Sequence, residues 1–266
     1  MSNRLQGKIA LITGAGSVGP GWGNGRAMTV RFAQEGAQVY AADIDQARLD
    51  ETLTYAGDAV SQIKTGIVDV MQSASIEKMV QDCIEKFGRI DILVNNVGGS
   101  AKGGPVEMSE EVWDTQVDYN LKSVFLTCKY TLPHMIEQGS GAIINMASTS
   151  GTRWTGSAQI AYAATKAGII QFSKVLAVQY AKQSIRVNTI VPGQLHTPMV
   201  ETRLAKQRTG GDVATILEQR QARIPLPFMG DGMDTANAAV FLASEEARFI
   251  TGTEIVVDGG MSAKCD

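Results

Sequence analysis

Short, nearly unbroken apolar runs recur along this chain, and each leaves its run through glycine, an acid, an amide or a hydroxyl. The first is residues 8–13, Lys-Ile-Ala-Leu-Ile-Thr, ending at a glycine cluster. Runs of this length without polar alternation predict strands buried on both faces, as in a parallel sheet. Similar runs occupy 38–43 (ending in Asp43), 63–70 (ending Val68-Asp69-Val70), 90–99 (ending Asn95-Asn96-Val97-Gly98-Gly99), 141–148 (ending in Ser148), 185–193 and 254–260. Between them the apolar period lengthens to that of helices. Residues 73–87 form an amphipathic helix closed by Gly88, 109–138 form a long helical stretch, and 160–182 are apolar nearly all round. Strands alternating with helices predict one α/β domain spanning 1–266, a Rossmann-type doubly wound parallel sheet of about seven strands covered by helices on both faces. A helix apolar on every side is expected to meet the sheet on one face and a second subunit on the other. Residues 194–230 are polar and loop-like, with weak helical pieces, Gly210-Gly211 and the prolines Pro198, Pro225 and Pro227. So long an irregular insert in a compact domain reads as a lid over a substrate.

In a doubly wound sheet, ligands bind outside the carboxyl ends of the strands. Gly14, Asp43, Asp69 and Asn96 all fall at such ends, which points to a shared cofactor crevice. The glycine cluster runs from Gly14 to Gly25 and spells G-x-G-x-x-G over 14–19. That literal match is a poor one, because Pro20-Gly21-Trp22-Gly23 follows and cannot continue a helix. Without residues 18–22 the loop runs straight into helical sequence. It is therefore read as a phosphate-binding loop, carrying Gly14, Ser17 and Asn24, with five inserted residues. Asp43 is placed to accept hydrogen bonds from a ribose diol and to repel a 2′-phosphate, which favours NAD over NADP. The same residue could cap the next helix, although Asp45 could do so instead.

Composition removes several other classes. A net charge of −3 and the lack of a basic block argue against a nucleic-acid surface. Two histidines and three widely spaced cysteines (Cys83, Cys128, Cys265) give no metal-ligand spacing and fit reduced thiols in a cytoplasmic protein. Neither a signal peptide nor a membrane span is expected.

The candidate chemistry is Tyr162-Ala-Ala-Thr-Lys166 with Ser148 upstream. Residues four apart share a helix face, so Lys166 can lie beside Tyr162 and favour its phenolate. A nucleophilic role for Ser148 lacks a His and an acid placed to activate it. His196 reads as a loop residue. Trp154 is read either as lining a substrate pocket or as a loop tryptophan covering the core.

Over essentially its whole length the chain resembles the short-chain dehydrogenase/reductase family. The resemblance rests on Thr13-Gly14-Ala-Gly…Gly23-Asn-Gly25, Asp69, Asn95-Asn96-Val97-Gly98, Asn120, Ser148, Tyr162-x-x-x-Lys166, Pro192-Gly193…Thr197-Pro198 and Val257-Asp258-Gly259-Gly260. It implies Tyr162 as general acid/base, Lys166 lowering its pKa and binding the nicotinamide ribose, and Ser148 holding the substrate oxygen. Asn120 would anchor a proton-relay water, Asp69 and Val70 would meet the adenine, and Asn96 and Gly98 the adenosine side. Leu195 and Thr197 would orient the carboxamide. Three features depart from the pattern: the insertion, Val97 where the family has Ala, and a Ser148–Tyr162 spacing one residue long, which Thr149 would restore. The resemblance further implies a homotetramer and an NAD-dependent oxidoreductase interconverting a secondary alcohol and its ketone. An NADPH-dependent ketoacyl-thioester reductase and a non-catalytic nucleotide sensor are the alternatives. Enoyl reductases keep more residues between their Tyr and Lys, which argues against double-bond reduction.

Overall fold

A computed structural model describes residues 3–264, apart from the side chains of 207 and 208. Seven strands form one sheet: β1 (Ile9–Thr13), β2 (Gln38–Asp43), β3 (Ile63–Ile67), β4 (Ile92–Asn95), β5 (Gly141–Met146), β6 (Ile185–Pro192) and β7 (Glu254–Val257). Their order is β3-β2-β1-β4-β5-β6-β7, and every pair is parallel. Chain direction across the sheet reverses between β1 and β4, and the crevice for a ligand opens at such a switch.

Among the described residues the α-helices are α1 (Asn24–Gln34), α2 (Gln46–Tyr55), α3 (Ser73–Phe87), α4 (Glu110–Val117), α5 (Ser123–Gln138), α6 (Ile160–Gln179), α7 (Ala205–Thr209), α8 (Val213–Gln221) and α9 (Gly232–Ala243). Two cores result. Met28, Phe32, Leu49 and Val240 belong to the one on the α1, α2 and α9 side. Ile76, Val80, Ile143 and Ile169 belong to the one under α3, α5 and α6. Helix ends follow the sequence. Gly88 closes α3 at φ 80°, and Ser109 caps α4 by accepting from the Val112 N–H. Asp45, not Asp43, caps α2, accepting from the N–H groups of Ala47 and Arg48. Asp43 is thereby left to the crevice.

Two expectations shift in detail. The third strand ends at Ile67, so Asp69 and Val70 lie beyond it, where an Asp69 oxygen accepts from the Met71 N–H at 2.9 Å. Residues 194–230 are less irregular than their composition suggests. A π turn (Val200–Leu204), α7 and α8 close around a small core of Val200, Ala205 and Ile216. The spacings Val200/Leu204 and Val213/Ile216/Leu217 give these pieces one apolar face each.

Beneath the crevice, a buried polar chain ties the site's elements together. Thr127 Oγ1 donates to Asn95 Oδ1 (2.6 Å), Asn95 Nδ2 to Asn145 Oδ1 (2.8 Å), and Asn145 Nδ2 to Ser173 Oγ (2.8 Å). It crosses α5, β4, β5 and α6. Asn145→Ala would take one bond each from Asn95 and Ser173, which keep Cys128 Sγ and the Ile169 carbonyl as partners, at about 1 kcal/mol per lost bond. A lowered urea midpoint with an unchanged slope is the expected result, and an unchanged midpoint would remove this role.

Cys83 and Cys128 are buried free thiols, and burial pushes each up to about 12, which keeps them protonated and inert. Cys265 lies outside the described residues. Among the described residues, no helix is long and apolar enough to cross a membrane, and no cluster of His, Cys, Asp and Glu could hold a metal ion.

Candidate active site

The glycine loop is shaped by close approach. Gly14 takes φ 64°, a left-handed conformation that side chains disfavour. A Cβ on Gly25 would run into the Gly14 carbonyl oxygen. Helix α1 starts at Asn24 behind Gly23, with no side-chain cap, so the N–H groups of its first turn have no capping side chain to bind. Residues 18–22 are non-helical and partly buried, apart from the exposed Pro20. Asn24 Oδ1 accepts from Thr235 Oγ1 on α9, and Ser17 Oγ donates to the Gly19 carbonyl. Both side chains are therefore engaged in shaping the loop.

Asp43 is buried at the end of β2, where its Oδ2 accepts from the Gly16 N–H at 3.0 Å. Arg48, on the first turn of α2, enters the same cleft while paired with Asp45 at 3.1 Å. Asn96 Nδ2 donates to the Gly14 carbonyl at 2.9 Å, fastening the β4 exit to the glycine loop. Val97 fills the remaining space there, its Cγ2 3.2 Å from where a Gly14 Cβ would stand.

Asn120 sits fully buried in a π turn, Asp118–Lys122, between α4 and α5. Such turns recur at functional sites. Its amide exchanges hydrogen bonds with the Gly99 backbone: Gly99 N donates to Oδ1 (2.9 Å), and Nδ2 donates to Gly99 O (3.0 Å). This accounts for an asparagine in mid-helix, because the helix is locally unwound to bind the β4 exit. Gly98 lies between Asn120 and Lys166, and a Cβ there would stand 3.1 Å from Asn120 Oδ1 and 3.0 Å from Lys166 Nζ.

Lys166 is 2% exposed, and its Nζ donates to the Met146 carbonyl at the end of β5 (2.7 Å). The same Nζ stands 5.6 Å from the centroid of the half-buried Tyr162 ring. Burial lowers the Lys166 pKa to about 8, so the ammonium persists at neutral pH. Ser148 leaves β5 two residues after Met146 and caps a short 3-10 turn, its Oγ accepting from the Ser150 N–H (3.2 Å). Ser148 is partly exposed to the cleft, whereas Thr149 is buried at 2%.

Apart from Asn120, the candidate residues described above line one cleft of about 340 Å³, together with Asp69, Val70, Leu195 and Thr197. The structure thus brings together Gly14, Ser17, Asn24, Asp43, Asp69, Val70, Asn96, Gly98, Ser148, Tyr162, Lys166, Leu195 and Thr197, while Asn120 supports them from behind. It does not bring in Trp154, which is 74% exposed and outside the cleft lining. Its neighbours Thr155 and Gln159 line the cleft instead, because the chain turns inward at Thr155, where Gln159 Nε2 donates to Ser150 Oγ (2.7 Å) and Thr155 Oγ1 (3.3 Å). His196 points outward and pairs with Glu201. Sequence reasoning also passed over Tyr119, Arg203 and Arg220, which line the cleft from segments with no motif.

A family model described as Enoyl-(Acyl carrier protein) reductase matches residues 20–262. The 3-oxoacyl-[acyl-carrier-protein] reductase FabG of Thermotoga maritima is 39% identical, over 97% of this chain and 99% of its own. The chain belongs to the short-chain dehydrogenase/reductase family. Among other members, the 2,5-dichloro-2,5-cyclohexadiene-1,4-diol dehydrogenase LinX of Sphingobium indicum is 38% identical over 98% of this chain and 99% of its own. A short-chain dehydrogenase/reductase crystal structure from Burkholderia xenovorans is 61% identical, covers 99% of both chains and superposes with a TM-score of 0.95. The chain is accordingly a short-chain oxidoreductase that uses a nicotinamide dinucleotide.

Proposed function

We propose that this oxidoreductase interconverts a secondary alcohol and its ketone, using NAD, with Tyr162 as the general acid/base. The observation that carries the reading is the buried Lys166 ammonium, fixed to the Met146 carbonyl and held 5.6 Å from the Tyr162 ring, in the cleft that also receives Ser148 and Asp43. The donor set fits a dinucleotide. The uncapped start of α1 and the glycine loop suit a diphosphate, Asp43 a ribose diol, Asp69 and Val70 an adenine, and Asn96 and Gly98 the adenosine side. Leu195 and Thr197 suit a carboxamide.

When bound, the nicotinamide exchanges a hydride with the substrate carbon. The chain's own residues handle the oxygen. Ser148 donates a hydrogen bond to it and orients it, and the Tyr162 hydroxyl exchanges a proton with it. The Lys166 ammonium favours the phenolate during oxidation and binds the nicotinamide ribose. Asn120 anchors the water that passes the proton outward. Tyr162 and Lys166 lie one helical turn apart, so the reading remains carbonyl chemistry although the matching model carries an enoyl reductase description.

NAD preference rests on the Asp43 carboxylate, which suits a ribose diol and would repel a 2′-phosphate. Asp43→Ala is expected to weaken NAD and to narrow or reverse its advantage over NADP, as read from both dissociation constants. Equal binding of the two dinucleotides by the wild type would overturn the assignment. The second reading, an NADPH-dependent ketoacyl-thioester reductase, draws on the Thermotoga relative and on Arg48, which enters the cleft beside Asp43. Its pairing with Asp45 favours NAD. The diol dehydrogenase relative supports alcohol substrates.

Residues 194–230 act as a lid within this single domain. Their amide exchange should slow when cofactor and substrate are bound together, and no change at saturation would exclude a lid. The outer face of α6 exposes Val175 and Val178, the latter at 80%, which suits burial in a homotetramer. A monomeric mass at micromolar concentration would exclude that assembly.

A further inference from the structure

Residues 18–22 depart from the usual family pattern, yet they are firmly built. The buried Arg26 guanidinium donates to the carbonyls of Gly19 (3.2 Å) and Gly21 (2.9 Å), pairs with Glu51 (2.6 Å) and stacks 4.4 Å over the Tyr55 ring. The Gly21 N–H donates to the Tyr55 hydroxyl at 2.9 Å, and Trp22 meets that ring edge-on at 5.0 Å. The outer side of this clamped loop abuts the 194–230 segment. A Cβ on Gly19 would stand 3.2 Å from Thr202 Cγ2 and 3.4 Å from Pro198 Cβ. The residue after Thr202 is Arg203, which lines the cleft. Its Nη1 lies 3.9 Å from where a Gly99 Cβ would be. Its guanidinium also donates to the Tyr119 hydroxyl, whose pKa burial raises, with the Arg203 charge and that bond opposing the rise. Arg48 pairs with Asp45, and Arg220 donates to the Leu195 carbonyl. Arg203, by contrast, bonds the hydroxyl of a phenol in the cleft that the dinucleotide reading fills with a dianion.

We propose that the five inserted residues are a seat for the 198–204 turn, and that the seated turn holds the Arg203 guanidinium against the diphosphate of the bound dinucleotide. Arg203 is then a cofactor-binding residue carried by the lid, and the insertion positions it. The proposal rests on the dinucleotide reading of the cleft. The diphosphate is the anionic group that all nicotinamide dinucleotides share, and an arginine matches phosphate oxygens with two parallel donors.

The test is calorimetric titration of ADP-ribose and of adenosine, which needs no turnover. Arg203→Ala should weaken ADP-ribose by about 10- to 100-fold, the range for a hydrogen bond to a charged group. It should also flatten the salt dependence of that affinity and leave adenosine unchanged, and Arg203→Lys should recover part of the loss. Gly19→Val, which pushes against Thr202 and Pro198, should weaken ADP-ribose several-fold in the wild type but add nothing in the Arg203→Ala background. Equal ADP-ribose affinity in Arg203→Ala, or an equal loss for adenosine, would overturn the diphosphate contact. A Gly19→Val effect undiminished by Arg203→Ala would overturn the seat. A wild-type chain that binds adenosine but not ADP-ribose, or neither, would overturn the dinucleotide reading and this proposal with it.

Discussion

Tyr162→Phe is expected to lower turnover by about 10²-fold or more, toward the 10⁴-fold upper range of general acid–base catalysis. The substitution removes one hydroxyl and keeps the ring, so the packing of α6 against the sheet should survive. Dinucleotide affinity should stay close to wild type, because the phenol is one contact among many along the cleft. The loss therefore belongs in kcat, with the dissociation constant for NADH as the control. A variant that retains most of its activity would mean that some other group moves the proton, and the mechanism proposed above would fall with it.

Lys166→Met should do more damage, and of a different kind. Its Nζ is bound to the Met146 carbonyl in a buried pocket beside Gly98. Removing it takes away the charge that favours the Tyr162 phenolate and also a donor to the nicotinamide ribose. Turnover and cofactor affinity should fall together, each by at least tenfold, separating this variant from Tyr162→Phe. The pH profile supplies the sign. In the wild type, alcohol oxidation should rise with pH through an apparent pKa below the ~10 of free tyrosine, a value belonging to the coupled Tyr162–Lys166 pair. With burial holding Lys166 near 8, the ammonium is available through neutral pH. In Lys166→Met the rise should move toward higher pH. A profile that stays where it was would show that Lys166 does not set the proton affinity of the base.

Much of this architecture was legible in the sequence because parallel strands are short, apolar and polar at their exits. The seven apolar runs correspond to seven strands, and the exit residues of the first six line one cleft. The late start of the first helix was legible as well, because proline and glycine cannot extend a helix, and α1 does begin at Asn24. Other features were hidden for physical reasons. Asn120 reads as an unfavourable helix residue, and only the π turn with its two bonds to Gly99 explains it. Asn145 and Ser173 look like polar residues inside apolar elements, and nothing local says that they join β5 to α6. Residues 194–230 read as loop-like with weak helical pieces, because each piece is too short to carry a strong period and their small shared core is tertiary. Arg203 and Trp154 fail in opposite directions. The arginine sits in a segment without a motif yet lines the cleft, and the tryptophan sits beside the Ser148 exit yet faces solvent.

The measurement that tests the central claim most directly is dinucleotide-linked turnover by purified protein, followed at 340 nm. It should pair NAD and NADP with a panel of secondary alcohols, diols and hydroxy acids, and NADH and NADPH with ketones and ketoacyl thioesters. The account predicts turnover of at least one alcohol–ketone pair, faster with NAD than with NADP, and its near-abolition in Tyr162→Phe. Tight dinucleotide binding with no turnover of any pair in either direction would contradict it and leave a nucleotide-binding protein in place of an enzyme.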